Sequence, residues 1–545
     1  MKFRYDAKNE ELVISESTRI EYNQLKIWLT RKVKGYRYMQ PFKMGIWSGD
    51  QSYFRDGKIN LGLWRECFMG CKEIEVPFII QNKEDFPINR DVTLESVKDF
   101  CDSFFSEHKI KDKDGNWIHF NPYDHQIESA YKILKNRFCM AEVATSGGKS
   151  LIISIVIFYT LKNIDADAKF LLIVPSINLV TQFYENIFEY NFGFNFLDKM
   201  DLKDLTETVR DKKIESIIEG SNYDPCFLKI EEIMSDRPRK YSDKEEPNIY
   251  IGTYQSLEKY PKEFFKQFHT VACDEAHGAK SKTILSILKK TFGYAYSRFG
   301  VSGTFPPDDS CEILTVQSVL GPKITEVTAN QLKEKGIITP MEIKAIIMNH
   351  NDSDYEERLL YIRKSGLGKE ALELEKDFIH NSDKRIDVIK KLIDKCDKNT
   401  LLLFHSIEYG QKILNKLQNE ITDKEFYYID GGVKNKKREE IKKILEESSD
   451  KVRVLVASYG TLSTGISIKN LHFLILADSF KSETIIIQSI GRLLRLLDGK
   501  TKAVIFDLVD IFSMKKSNTL YKHFLERVKM YEKRKYPYIE KIIKI

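Results

Sequence analysis

Little in this chain is concentrated. Its eight cysteines are scattered over 545 residues, and only Cys67 and Cys71, in CFMGC, fall close together. No second Cys or His pair stands near enough to complete a zinc site, so the two read as buried thiols. Charge of one sign is equally scarce: 86 basic residues against 80 acidic ones leave a formal net charge of +6. That balance permits nucleic-acid binding without requiring it and confines any basic surface to local patches. The opening, MKFRYDAKNEELVISE, lacks the apolar core of a signal peptide, and no uncharged apolar run reaches the roughly 18 residues of a membrane span. No membrane partner is expected, and a reducing, cytoplasmic setting is. A nuclease-type acidic cluster is missing from both ends of the chain.

What is present is enough apolar sequence, 42% of residues, to bury several cores. A length of 545 residues predicts about three or four domains. Residues 1–115 mix an alternating opening (KFRY, ELVIS), a helical stretch around EYNQLKIWLTRKV and an aromatic, glycine-punctuated segment, WSGDQSYFRDGKINLGLW; this predicts a small α+β module closed by the polar boundary KIKDKDGNW. From about 116 the rhythm becomes apolar strand followed by amphipathic helix, the pattern of parallel sheets wound by βαβ crossovers. FCMAEVA, KFLLIVP, NIYIGT, TVACDEA and RFGVSGT mark a first α/β lobe over 116–325, interrupted by a charged, solvated insert at about 195–247. TLLLFH, EFYYID, KVRVLVAS, HFLILAD and KAVIFDLVD mark a second over 400–515. Residues 326–399 read as a helical, charged linker and 516–545 as a terminal helix with a basic face.

One more absence bears on chemistry. The stretch MAEVATSGGKS, 140–150, ends like a phosphate loop but has Val143 where the pattern G-x-x-x-x-G-K-[ST] asks for glycine. Its context is nevertheless right: an apolar strand, a small-residue loop, then the long apolar run LIISIVIFYTL. Gly147 and Gly148 let backbone amides approach phosphate oxygens, Lys149 can reach the β and γ phosphates, Ser150 can ligate Mg²⁺, and a helix N-terminus favours the anion. Alone, such a loop also fits an ordinary turn. VACDEAH then sets two carboxylates at a strand end, with Asp274 suited to hold Mg²⁺ through water and Glu275 to polarise the attacking water. In QSIGRLLRL, Arg492 and Arg495 stand three apart, which on a helix places them on one face, where they could stabilise γ-phosphate charge.

Taken in order, these motifs resemble superfamily 2 helicases and translocases, across essentially all of 120–510. ATSGGKS looks like motif I, SINLVTQF Ia, GTYQSL Ib, DEAH II, VSGT III, FHSIEYGQKI IV, SYGTLSTGISIKNL V and QSIGRLLRL VI. The resemblance implies two tandem RecA-like lobes binding ATP and Mg²⁺, with Thr145, Ser146, Gly147, Gly148, Lys149, Ser150 and Gly465 at the nucleotide and Gln126, of YDHQ, on adenine. It implies nucleic-acid contacts at Ser176, Thr253, Gln255, Ser406 and Thr464, and coupling through His277, Ser302, Thr304 and Gln488. The chain is most similar to phage UvsW-type helicases, a family in which the loop's first glycine is commonly replaced. That likeness implies fork regression, branch migration and strand annealing by a monomer in the host cytoplasm, with residues 1–115 recognising substrate. Two departures are Ser467, where many relatives carry an acidic residue in motif V, and the lack of arginine in GTYQSL.

Other readings stay open at this stage. Similar lobes track RNA or RNA–DNA hybrids, and similar motors serve restriction or defence complexes, where a partner would have to supply the nuclease. A non-catalytic nucleic-acid clamp fits poorly, because Lys149, Asp274, Glu275, Arg492 and Arg495 are all present.

Overall fold

The computed structural model describes every residue except 88–90, 112–116, 194–228, 236–246, 448, 464–467, 480–482, 496, 498–499 and 514–517. Most of the expected insert therefore lies outside the described residues, as do Thr464, Gly465 and Ser467, but its Ile230–Ile233 is a buried strand paired with Ile249–Thr253 and not a solvated excursion. Packing divides the chain into two units, Met1–Val143 with Gly148–Val327, and Thr328–Ile545 with Ala144–Gly147.

The first unit opens with a four-stranded sheet in the order Lys58–Asn60, Glu11–Glu16, Lys2–Asp6, Ile79–Ile80. Alternation in KFRY turns Phe3 and Tyr5 to one buried face. Thr18 and Glu21 start the helix Arg19–Trp28 as a capping box: Thr18 Oγ1 accepts from the Glu21 amide at 3.2 Å, and Glu21 Oε2 from the Thr18 amide at 2.8 Å. Cys67 and Cys71, one turn apart on Trp64–Glu73, are buried in the same core. The polar segment expected as the domain boundary instead carries an antiparallel hairpin, Lys109–Lys111 against Trp117–His119. The helix before it, Leu94–Phe104, already packs on the first lobe, with Phe104 stacked on Phe158 at 4.9 Å and Ser96 Oγ 2.9 Å from Tyr159 OH.

That lobe is a seven-stranded parallel sheet ordered Ile230–Ile233, Ile249–Thr253, Phe170–Val174, Thr270–Asp274, Ser297–Ser302, Phe138–Val143, Lys323–Val327. The five strands expected from sequence are buried at every residue, as strands covered on both faces must be. The helix Lys149–Asn163 is buried from Leu151 to Leu161, which explains a run apolar on all sides. The N-terminal sheet is fastened to this lobe by a buried ion pair. Arg298 Nη1 donates to Glu10 Oε1 at 2.9 Å and Nη2 to Oε2, Arg298 Nε donates to the Val319 carbonyl at 2.9 Å, and the Gly293 amide donates to Glu10 Oε1 at 2.8 Å.

The second unit holds another seven-stranded parallel sheet, ordered Lys424–Ile429, Val452–Ser458, Thr400–Phe404, Phe473–Leu476, Ala503–Ile511, Met341–Asn349, Tyr538–Lys544. Two of these strands depart from expectation. Met341–Asn349 falls in the segment read as linker, and Tyr538–Lys544 in the tail read as helix. The tail helix runs only over Thr519–Lys533; Lys535 takes a left-handed φ of 54° and Pro537 cannot extend a helix. YIEKIIK then becomes a strand by pairing along Met341–Asn349, Ile343 opposite Tyr538 through Asn349 opposite Lys544. The helices of 353–394 are tied in as well. Arg385 Nε donates to Asp510 at 2.9 and 3.1 Å, and Glu375 accepts the amides of Thr519 and Leu520 at 2.9 Å each. Arg527 forks onto Asp507 at 2.8 and 2.9 Å.

Glu10 and Arg298 are each only 2% exposed. Glu10→Ala strands the guanidinium and is expected to lower stability by about 3–5 kcal/mol. In urea unfolding of the full chain the double change Glu10→Met with Arg298→Met should cost less than the single one.

Candidate functional site

The strand order sets Phe138–Val143 and Thr270–Asp274 on either side of Ser297–Ser302, so three strands deliver their following loops to one edge of the sheet. Carboxyl ends of parallel strands are where such sheets bind ligands. Val143 is fully buried as the last residue of its strand, so the position where glycine was missing belongs to the sheet and not to the turn. The loop closes with the Gly147 amide donating to the Ala144 carbonyl at 2.9 Å. Its left-handed positions are Ser146, φ 70°, and Gly148, φ 80°; Gly147, expected to share the tight turn, is not one of them. Gly148 is also pressed by a neighbour, since a Cβ there would lie 2.0 Å from Gln126 Nε2. Gln126, 6% exposed, accepts from the Tyr123 amide at 2.8 Å, and its other end therefore rests on the loop. The helix begins at Lys149, leaving its first amides turned toward the loop.

Lys149 Nζ reaches across to Glu275 Oε1 at 2.8 Å. The other Glu275 oxygen lies 3.3 Å from His277 Nδ1 and 3.4 Å from Ser302 Oγ. His277 Nδ1 and Ser302 Oγ are 3.0 Å apart, and Ser302 Oγ donates to the Thr304 carbonyl at 2.8 Å. Motifs I, II and III thus share one hydrogen-bonded cluster. Glu275 itself sits at φ 48°, a strained left-handed conformation for a residue with a side chain, held by these contacts.

The two carboxylates differ in environment. Burial, and then the charge of Glu275, push the Asp274 carboxyl up to about 6. Burial works the same way on Glu275, but the ammonium of Lys149 and the ring of His277 outweigh it and hold that carboxyl well below the usual range. Asp274 Oδ1 is buried with no hydrogen-bond partner among the described residues. An orphaned carboxylate oxygen of raised basicity suits a hard cation, and Ser150, at the start of the neighbouring helix, supplies a second oxygen. Tyr190, which no motif flags, brings its hydroxyl to 3.3 Å from Ser150 Oγ. It is 40 residues away in sequence and lies at the end of the helix Ile177–Phe192, so nothing short of the fold could find it.

Three of the expected nucleic-acid contacts turn out to be helix N-caps. Ser176 precedes Ile177–Phe192; Thr253 accepts from the Ser256 amide at 3.4 Å, and Ser406 from the Tyr409 amide at 3.4 Å. Thr253 is 4% exposed with its hydroxyl on Ser256, so it shapes the loop, whereas Gln255 beside it is exposed. In the second unit Gln488 and Arg492 lie on the helix Glu483–Leu493. Arg495 does not share that helix as expected. The helix ends at Leu493, where the Leu494 amide turns to the Gly491 carbonyl at 3.3 Å, and the carbonyls past that point are met by other donors, the Thr339 amide on Leu494 at 2.9 Å and Lys500 Nζ on Leu493.

Gly148→Ala should weaken nucleotide binding by about tenfold or more, combining roughly 1–2 kcal/mol of left-handed strain with displacement of Gln126. A fluorescent-nucleotide titration of the folded variant measures it.

The chain matches the family described as "Type III restriction enzyme, res subunit" over residues 119–307 and "Helicase conserved C-terminal domain" over 384–496. It is 30% identical to the ATP-dependent DNA helicase uvsW of Enterobacteria phage T4 over 99% of both chains. The crystal structure of T4 UvsW aligns with it at 24% identity and a TM-score of 0.46, covering 100% of each chain. The DNA-bound Type ISP restriction-modification enzyme LlaBIII shares the fold at a TM-score of 0.51 and 16% identity, over 79% of this chain and 32% of that one. With its ordered motifs and two parallel-sheet lobes, the chain belongs to the superfamily 2 helicases of the UvsW family and is an ATP-dependent helicase.

Proposed function

We propose that the helicase acts on branched DNA, regressing forks, migrating branches and annealing strands as a monomer in the host cytoplasm, with ATP and Mg²⁺ at Lys149, Ser150, Asp274 and Glu275. The observation that carries the substrate is a loop of the N-terminal module. The strand Thr30–Lys32 carries Arg31 and Lys32, and the loop from it to the strand Asp50–Ser52 holds Lys34, Arg37 and Lys43 and no acidic residue before Asp50. Lys32 pairs with Asp50 at 2.9 Å, while Lys34, Arg37 and Lys43 are exposed and, among the described residues, without an ion pair. Tyr38 at 83% exposure, Ile46 at 73% and Met44 at 68% stand beside them. Basic groups for phosphates, with an aromatic ring and apolar wedges for unstacked bases, suit a junction better than a uniform strand. The likeness to a phage DNA helicase spans this module as well as the lobes, which supports DNA over RNA.

In this reading the Lys149–Glu275 pair is the resting form of the site. An arriving triphosphate draws Lys149 to its oxygens, and Glu275, still placed by His277 and Ser302, is left to orient the attacking water. Asp274 and Ser150 would hold Mg²⁺, which neutralises charge on the phosphate oxygens. Thr145, Ser146, Gly147 and Gly148 offer backbone and hydroxyl donors to the phosphates, Gln126 reads adenine, and Arg492 and Arg495 stabilise γ-phosphate charge. Gly465 also belongs at the nucleotide; Ser176, Gln255, Ser406 and Thr464 grip the nucleic-acid backbone, while His277, Ser302, Thr304 and Gln488 carry the coupling.

Hydrolysis should be stimulated more by forked DNA than by single strands, duplex RNA or an RNA–DNA hybrid. Stronger stimulation by hybrid would reassign the substrate. Lys149→Ala should abolish turnover, and Glu275→Gln should bind ATP yet turn over about 10²-fold or more slowly. Combined Arg37→Ala, Tyr38→Ala and Lys43→Ala should remove the preference for forks while sparing stimulation by single strands.

A further inference from the structure

Arg495 lies two residues beyond the end of the helix Glu483–Leu493, and side chains hold its backbone carbonyl. That carbonyl, Arg495 O, accepts from two of them: Thr339 Oγ1 and Lys500 Nζ, each at 3.1 Å. The neighbouring carbonyls are held too, Leu494 O by the Thr339 amide at 2.9 Å and Leu493 O by Lys500 Nζ. We infer that Thr339 and Lys500 are positioning residues for Arg495, a clamp that fixes the second arginine of QSIGRLLRL by its main chain. The inference rests on the arginine role proposed above.

Both residues are buried, Thr339 at 1% and Lys500 at 6% exposure. Lys500 makes no ion pair among the described residues, and its neighbour Arg495 repels it. Burying an ammonium on carbonyl oxygens alone is costly, and an apolar side chain would fill the same space at less cost. What the ammonium adds is direction, because a cation at a helix C-terminus draws the last carbonyls toward itself. Thr339 comes from a distant element, two residues ahead of the strand Met341–Asn349, on the segment by which the chain enters the second unit. The pose of Arg495 is therefore set by the connecting segment and not by its own helix.

Burial, and then the charge of Arg495, lower the Lys500 ammonium to about 8. The titratable and charged groups facing it among the described residues are Arg495 and His472. Burial, then Lys500 and Lys398, bring His472 down to about 4, so His472 is neutral wherever Lys500 titrates. Below about pH 8 the charge-assisted bonds are present, and they weaken as pH rises through that value.

The test uses the full chain and steady-state ATP hydrolysis with forked DNA. Thr339→Val keeps the shape and removes the donor. It should lower kcat by about 10- to 100-fold with KM for ATP within about twofold, since misplacement of a charge-stabilising group acts on the chemical step. Thr339→Ser should restore kcat, which a general packing defect would not allow. Wild type should lose kcat as pH rises through about 8, and Lys500→Met should be slow at every pH with that limb gone. The inference is overturned if Thr339→Val and Lys500→Met turn over like wild type while Arg495→Ala is inactive, or if Ser does not rescue. Full turnover by Arg495→Ala would remove the arginine assignment itself and this inference with it.

Discussion

An arginine enclosed between a sheet and its covering helices must meet a carboxylate, because an unpaired buried charge destabilises a fold by several kcal/mol. Among the described residues three such pairs, each with both partners almost fully buried, join a peripheral segment to one of the sheets. Arg298 at the start of Ser297–Ser302 takes Glu10 from the N-terminal module; Asp510 on Ala503–Ile511 takes Arg385 from the helices that follow the connecting segment; Asp507 on the same strand takes Arg527 from the last helix. The strands supply the RecA-like frame, and these pairs decide what else travels with it. Arg298 and Arg527 fork onto both oxygens of their carboxylates, which fits one register, so these attachments are specific as well as tight.

The nucleotide site uses charge differently. Lys149 and Glu275 are paired but partly accessible, and the left-handed backbone at Glu275 is held in place by contacts from Lys149, His277 and Ser302. In the proposed function such a partly accessible pair gives way to a phosphate, whereas the buried Arg298–Glu10 pair stays closed. Next to it, Asp274 keeps a buried oxygen with no hydrogen-bond partner among the described residues. The structural pairs are closed and the Lys149–Glu275 pair is more open, with the difference lying in burial.

Much of the frame was legible because it is local. Strands buried on both faces read as continuous apolar runs, and the ten marked in sequence are all present. Met341–Asn349 was hidden behind a charged, helical stretch that also suited a linker, and Tyr538–Lys544 behind an alternation of charge that suited a helix face; both become strands through hydrogen bonds to partners far along the chain. Within the site, the glycine pattern located the phosphate loop but misplaced its turn, since left-handed backbone at Ser146 is not written in its residue type.

Alone, the sequence determined the ordered motifs, the residue types in the candidate nucleotide loop and the parallel strands, because each depends on neighbours within a few residues. Only the tertiary structure decided that Tyr190 meets Ser150, that Thr253 is a buried cap, that Arg495 leaves its helix, and that Thr339 and Lys500 hold it there. Those outcomes turn on which donor reaches which carbonyl or hydroxyl, over 40 residues for Tyr190 and 156 for Thr339, and the folded backbone settles that competition.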